Sequence, residues 1–403
     1  MVKTLKNRSN KNRSNKNRSN KNKSNKNKSF KITNIPSSDK DIKAVIDINA
    51  IRNNINYLKK QSGTDLMPVL KADAYGHGLI EMAKILRDLG IKYIGVATLG
   101  EAILLRKSGD KGRILSWLYD IDGKEFKDGL KHDLDIAIFD EKLIPKIKNM
   151  IPKNKKVKVT MFVDTGINRA GIPYENSLQA FKDVSSCDKF ELVGMMTHLI
   201  CSGIKNSPIV NEQLRKFREL RKQLADINII PPLVHAANTG GCLNYDVSDF
   251  TLARPGSGIY GITADFKPNK NLKLPMSIKS YIIQTKEVEK GDGIGYDWRF
   301  KAPKKMKICV LPIGYADIIP RDTSLKLCVY INGTKRKVLG TISMDQIIVE
   351  SREEDNINDE AYIFGNGTDC PQTIYDLAKL AKTIPLEILC HTGYRINRTY
   401  INH

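Results

Sequence analysis

Between residues 44 and 253, short apolar runs alternate with amphipathic helical stretches, and this alternation limits the possible folds more than any other feature of the chain. Ala44–Ile48 reads as a strand, followed by a helix with Ile51, Ile55 and Leu58 on one stripe. Further strands are predicted to begin near Met67, Tyr93, Arg113, Asp135, Val157, Glu191, Leu233 and Leu252. Helical stretches such as Leu79–Leu89, Glu101–Lys107 and Asn211–Ala225 lie between them. Eight strands separated by helices over about 210 residues suit a (β/α)8 TIM barrel, which typically takes about 250. A doubly wound sheet is the alternative.

After Pro275 the texture changes. Ser277–Val288, Met306–Ile313, Leu325–Ile331 and Gln346–Glu350 read as strands with few helices between them. Ile331-Asn332-Gly333-Thr334 carries the two-residue hairpin signal. One helix is predicted after Pro371, with Ile374, Leu377 and Leu380 on a stripe. The expected organisation is a tail at 1–34, a barrel at 35–274, and a smaller, mainly β domain at 275–403. The segment before the barrel is a candidate extra strand for that second domain.

The charge would suggest a polyanion partner only if it were spread over the fold. Of the formal +22, twelve charges come from Lys and Arg within residues 1–32, which hold no acid, leaving +10 for the rest. That segment repeats KNRSN or KNKSN-like units five times from Lys6 and has no apolar residue between Leu5 and Phe30. Such a composition cannot bury a core. With no aromatic between the charges it offers no base stacking. A solvated tail is expected and no nucleic-acid partner, although weak polyanion binding stays open. No long apolar run suggests a membrane span, and no apolar run at the start suggests a secretory signal. Seven cysteines, an odd number without a C-x-x-C pair, argue for reduced thiols in the cytoplasm and against a zinc knuckle. No metal site is expected.

The stretch richest in chemistry is Val69-Leu70-Lys71-Ala72-Asp73-Ala74-Tyr75-Gly76-His77-Gly78. It places one lysine at the C-terminal end of an apolar strand, before a polar, glycine-bearing turn. The mouth of a parallel barrel is where catalytic groups collect. A lysine confined there loses hydration and basicity, and becomes a usable nucleophile and base. The alternative is a lysine that snorkels from a strand end.

K-A-D-A-Y-G-H-G resembles the cofactor-lysine motif of the alanine racemases, pyridoxal-phosphate enzymes built from a barrel and a β domain. The likeness recurs in order. Val163-Asp164-Thr165-Gly166-Ile167-Asn168-Arg169-Ala170-Gly171 is similar to the family's V-D-T-G-x-x-R-x-G. Thr197-His198, Ala237-Asn238-Thr239 and Ala253-Arg254-Pro255-Gly256 match further blocks. In the second domain so do Gly295-Tyr296, Leu311 to Asp317, Ser343-Met344-Asp345-Gln346 and Gly393-Tyr394-Arg395.

The resemblance implies a homodimer with shared active sites that interconverts L- and D-alanine and supplies D-alanine. Pyridoxal 5′-phosphate would be carried as an imine on Lys71. Once displaced by substrate, Lys71 serves as one base, on the face that handles the D-enantiomer. Tyr296 of the partner subunit serves the other face, because a single base would return the proton to the side it left. A phenol with an unperturbed pKa near ~10 needs cationic neighbours, a task the family gives to His198 and Arg254. Arg254 also faces the pyridine nitrogen, where it hands over no proton. The phosphate donors are Tyr75, Asn238, Thr239, Gly256, Ser257 and Tyr394, near the loops after strands 7 and 8 where barrels often bind phosphate. Arg169 meets the substrate carboxylate, a task suited to guanidinium. Met344 and Asp345, from the partner, stand at the carboxylate end.

Two positions depart from the pattern. Many members carry a carbamylated lysine two residues before the motif's Asp, where this chain has Phe162, so something else must hold Arg169. Ser343 replaces a common cysteine and keeps a polar contact. Competing readings are a serine or broad-specificity racemase, a decarboxylase of the same fold that needs the lysine but not Tyr296, and a cofactor-holding regulatory protein without turnover.

Overall fold

A computed structural model describes residues 41–402, which fall within one compact unit. The basic repeat and the expected tail at 1–34 lie outside the described residues. Among those described, no helix is long and apolar enough to cross a membrane.

The eight barrel strands sit where the alternation predicts them. Tyr93–Thr98, Arg113–Leu118, Asp135–Ile138, Val157–Asp164, Phe190–Met196 and Leu233–His235 pair in that order, all parallel. Asp65–Leu66 pairs in parallel with Leu252–Ala253, and Val69 bridges to Gly95. Thr251 N–H donates to Val234 and Arg254 N–H to Ala237, so the ring closes. Met67, Leu115, Ala137, Phe162, Met196 and Leu252 form one of its buried clusters.

The helices outside follow their apolar stripes. Ile48–Ser62 starts on Asp47, whose carboxylate accepts from Asn49 N–H, and buries Ile51, Ile55 and Leu58. It stops at Gly63, whose φ of 66° takes the left-handed cap.

The second sheet has nine strands in the order Gln284–Val288, Met306–Leu311, Ile347–Glu350, Thr334–Leu339, Cys328–Ile331, Glu360–Phe364, Met276–Tyr281, Lys43–Asp47 and Asn397–Ile401. Asn332 and Gly333 both take positive φ, 49° and 71°, as a tight hairpin turn requires. The strand predicted over Ser277–Val288 is split at Ile282-Ile283, because the first half pairs with Glu360–Phe364 and the second with Met306–Leu311. The strand before the barrel does join this sheet. Lys43–Asp47 lies antiparallel to Met276–Tyr281 and parallel to Asn397–Ile401. Lys43–Asp47 is thereby hydrogen-bonded into the second sheet and not into the barrel ring. Isolated strand patterning shows that a segment is extended, not which sheet it completes.

This domain buries an ion pair. Arg336 Nε and Nη2 donate to the two carboxylate oxygens of Asp355 at 2.8 and 2.6 Å, with both side chains 1% exposed or less. The expected helix is Ile374–Ala381, opened by a capping box between Thr373 and Asp376. A second, short helix, Pro385–Cys390, follows it and packs against the turn after Lys71.

Candidate active site

Lys71 stands where its strand leaves the barrel, at the start of an unusual turn. Ala72, Asp73, Ala74 and Tyr75 all take left-handed conformations, with φ of 53°, 54°, 55° and 54°. None is glycine, so each costs about 1–2 kcal/mol against the right-handed form. Strain of this size persists where surrounding groups over-determine it. Here Ala74 N–H donates to Leu70 at 2.8 Å and Gly76 N–H to Ala72 at 3.0 Å. From the last strand, Arg398 pairs with Asp73 at 2.9 Å, and its Nε donates to the Gly76 carbonyl at 2.9 Å. Tyr400 donates to the His77 carbonyl at 2.7 Å. Gly76 is required by contact as well as by φ, since a Cβ there would stand 2.0 Å from the Leu389 carbonyl oxygen.

Lys71 lines a cavity of about 200 Å3 at the barrel mouth with Tyr75, Arg169, His198, Asn238, Thr239, Arg254, Gly256 and Ser257. Nine of the thirteen residues singled out in the sequence therefore meet in one place, although they come from distant segments. Burial lowers the basicity of the Lys71 amine, and the neighbouring Arg169 lowers it further.

Arg254 is buried at the floor of this cavity. It donates through Nη1 to His235 Nδ1 at 2.7 Å and to the His235 carbonyl, and through Nη2 to the Thr197 carbonyl. Arginine has no acceptor to offer, so His235 Nδ1 must be the unprotonated nitrogen and the ring is neutral. Burial, then Arg254, accordingly holds His235 well below its usual range. Burial brings Arg254 itself down to about 10, which leaves it cationic at neutral pH. Burial, then Arg254, Arg169 and Lys71, push His198 down to about 3.

The donors on the far side form a cluster. Thr239 Oγ1 accepts from Gly258 N–H at 3.0 Å and from Ser257 Oγ at 3.2 Å, which leaves its own hydrogen free to donate. Burial pushes the Tyr75 phenol above its ordinary value, so it stays protonated as a donor. Its hydroxyl faces Gly256 so closely that a Cβ there would lie 2.3 Å away. Asn238 Oδ1 accepts from Gly241 N–H at 3.1 Å and Ser202 Oγ at 2.6 Å, and its Nδ2 gives one of its two hydrogens to Leu199 at 3.1 Å. Its oxygen thereby caps the short helix Thr239–Asn244.

Arg169 sits on a loop gathered by one carboxylate. Asp164 Oδ1 accepts from the amides of Gly166, Ile167 and Asn168 at 2.8, 2.9 and 3.3 Å, and Oδ2 from Arg169 N–H at 3.2 Å. Phe162 is buried among the barrel's interior side chains beneath it. Asp164 thus holds the loop through its backbone.

Tyr296, Met344, Asp345 and Tyr394 do not line the cavity. Tyr296, Tyr394 and Met344 are 64%, 69% and 51% exposed, and Asp345 accepts from Arg395 Nη1 at 2.6 Å. Lining residues that were not singled out include Trp117 and Met196 at strand ends, and Leu386 from the short helix of the second domain. The strand-end position was a usable signal for the first two. Nothing in the local sequence marks Leu386.

One poorly hydrated amine, usable as a nucleophile, faces a fixed cation and a set of anion donors across this cavity. The comparisons with known proteins agree. The model for the alanine racemase N-terminal domain matches residues 46–264, and that for the C-terminal domain residues 275–400. The alanine racemase of Treponema denticola is 32% identical, over 89% of this chain and 98% of its own. That of Mycolicibacterium smegmatis is 29% identical, over 91% and 96%. Among solved structures, an alanine racemase of Clostridium difficile 630 superposes with a TM-score of 0.84 at 29% identity, covering 91% of this chain and 97% of that one. The Bacillus anthracis alanine racemase, solved with bound L-Ala-P, gives 0.82 at 26%, covering 92% and 97%. The chain belongs to the alanine racemase family and is an amino-acid isomerase.

Proposed function

We propose that the protein racemises alanine in the cytoplasm, with pyridoxal phosphate carried on Lys71 and with two active sites shared across a homodimer. The observation that carries the reading is the meeting of Lys71, Arg254 and the Tyr75–Thr239–Ser257 donors around one cavity. The residues fit the cofactor. Tyr75 and Thr239 are hydroxyl donors for its phosphate, Ser257 would serve through its backbone amide, and Gly256 is the place where a side chain would displace Tyr75. Arg254 is suited to face the ring nitrogen, because its own donors are anchored on His235 and Thr197 and it gives up no proton. When bound, the cofactor withdraws electrons from the amino acid's α-carbon and acidifies its proton.

The chain's own residues do the rest. Lys71, with lowered basicity, takes or returns a proton on one face. Tyr296 of the partner subunit serves the other face. In one chain this side chain is exposed and free to enter a neighbour's barrel. Arg169 binds the substrate carboxylate, and Asp164 keeps its loop in place. Met344 and Asp345 of the partner subunit close the carboxylate end. The boundaries proposed for the two domains are Asp47 and Pro275, with Lys43–Asp47 counted in the second.

The test is circular dichroism of L-alanine incubated with purified protein and added pyridoxal phosphate. Loss of optical rotation is expected, together with borohydride fixing the cofactor on Lys71. Retained rotation, or labelling of a different lysine, would defeat the proposal.

A further inference from the structure

The strained turn after Lys71 is pinned from the barrel side by a residue that the proposed reaction does not use. Glu101 Oε1 accepts from Ala72 N–H at 2.7 Å. That amide belongs to the peptide unit between Lys71 and Ala72, so fixing it fixes ψ of Lys71 and the direction of its side chain. The carboxylate cannot easily swing away. Its Oε2 accepts from Thr98 N–H at 2.9 Å, and Glu101 N–H donates to Thr98 Oγ1 at 3.2 Å, the reciprocal pair that opens helix Leu99–Lys107. The same strand, Tyr93–Thr98, accepts Leu70 N–H at Gly95. Strand and turn on either side of Lys71 are therefore registered against one rigid element. Arg398 and Tyr400 hold the later part of the turn, at Asp73, Gly76 and His77, and leave the Ala72 amide to Glu101.

We propose that Glu101 is a positioning residue for Lys71, holding the left-handed turn through the Ala72 amide. This rests on the reading of Lys71 as the cofactor lysine. It acts through the backbone and touches no reacting atom.

The test compares Glu101→Ala, Glu101→Gln, and Glu101→Ala combined with Ala72→Gly. Pyridoxal phosphate binding is read by visible absorption, and the melting of cofactor-free protein serves as the control for folding. Glu101→Ala should weaken cofactor binding on the order of tenfold, the scale set by one unsupported left-handed residue. Glu101→Gln, with one acceptor oxygen for two amides, should fall between. Adding Ala72→Gly should recover several-fold, because glycine enters the left-handed region without steric cost. Acetylation of Lys71 in cofactor-free protein, measured against exposed Lys60, reads the same point without the cofactor, and Glu101→Ala should change it several-fold. Normal cofactor binding and normal Lys71 acetylation with only a lower melting point would reduce Glu101 to a helix cap and overturn the proposal. Failure of Ala72→Gly to recover binding would overturn the route through the turn. Borohydride labelling of another lysine in the unmutated chain would sink the functional reading, while the acetylation result would still decide the role of Glu101.

Discussion

Replacing Gly256 with alanine should damage the phosphate end of the site through one identifiable side chain. The backbone is not the obstacle, because φ at Gly256 is −109°. The obstacle is Tyr75, whose hydroxyl would lie 2.3 Å and whose ring carbon Cζ 3.1 Å from the new methyl. Tyr75 is 7% exposed, with its ring centroid 5.1 Å from that of Tyr260, so it cannot step aside freely. Overpacking of this kind costs about 1–3 kcal/mol of stability. If the phenol is a donor to an anionic phosphate, moving it forfeits about 1.5–3 kcal/mol, roughly a ten- to hundredfold weaker hold on pyridoxal phosphate. Tyr75→Phe should lose the same affinity without the clash. The double variant should therefore bind no worse than Tyr75→Phe alone and should recover most of the lost stability. Cofactor titration by absorbance and urea unfolding measure both quantities. Additive losses in the double variant would show that Gly256 and Tyr75 act independently, and the reasoning would fail.

Three further outcomes are expected. Mixing Lys71→Ala and Tyr296→Phe subunits, each nearly inactive alone, should restore about a quarter of wild-type activity, because half the dimers are mixed and each of those has one intact site; no recovery would place both groups in one chain. Asp355→Asn should cost about 3–5 kcal/mol in urea unfolding, since it leaves the buried Arg336 guanidinium without its carboxylate; a loss below about 1 kcal/mol would contradict that. Burial holds His77 and His198 down to about 3, and His235 also lies far below its usual value, so all three are neutral in the fold and bind protons on unfolding. Stability should therefore fall as pH drops below about 6.5 toward 3, by up to about 1.4 kcal/mol per pH unit for each histidine. A urea midpoint unchanged between pH 7.5 and about 5 would refute it.

The parts of the protein set by local pattern were legible in the sequence. Strand alternation placed all eight barrel strands, because side-chain periodicity and turn residues act over a few positions. Asn332-Gly333 specified its hairpin for the same reason, since few residues accept two positive φ values in succession. Lys71 was legible because a chemistry-bearing residue at a strand end points to the mouth of a barrel, and Arg254 and Arg169 because their motifs resemble the family's. Other features depend on neighbours remote in sequence and leave no local mark. Lys43–Asp47 looks like any strand, and only its pairing with Met276–Tyr281 and Asn397–Ile401 assigns it to the second sheet. The lowered basicity of His198 comes from burial and from Arg254, Arg169 and Lys71, which lie far from it in sequence. The helix-capping bonds of Asn238 Oδ1 to Gly241 and Ser202 likewise depend on the fold. The left-handed run from Ala72 to Tyr75 contradicts the local preference of every residue in it. It exists because Glu101, Arg398 and Tyr400, brought in from other elements, supply hydrogen bonds and an ion pair that oppose its cost.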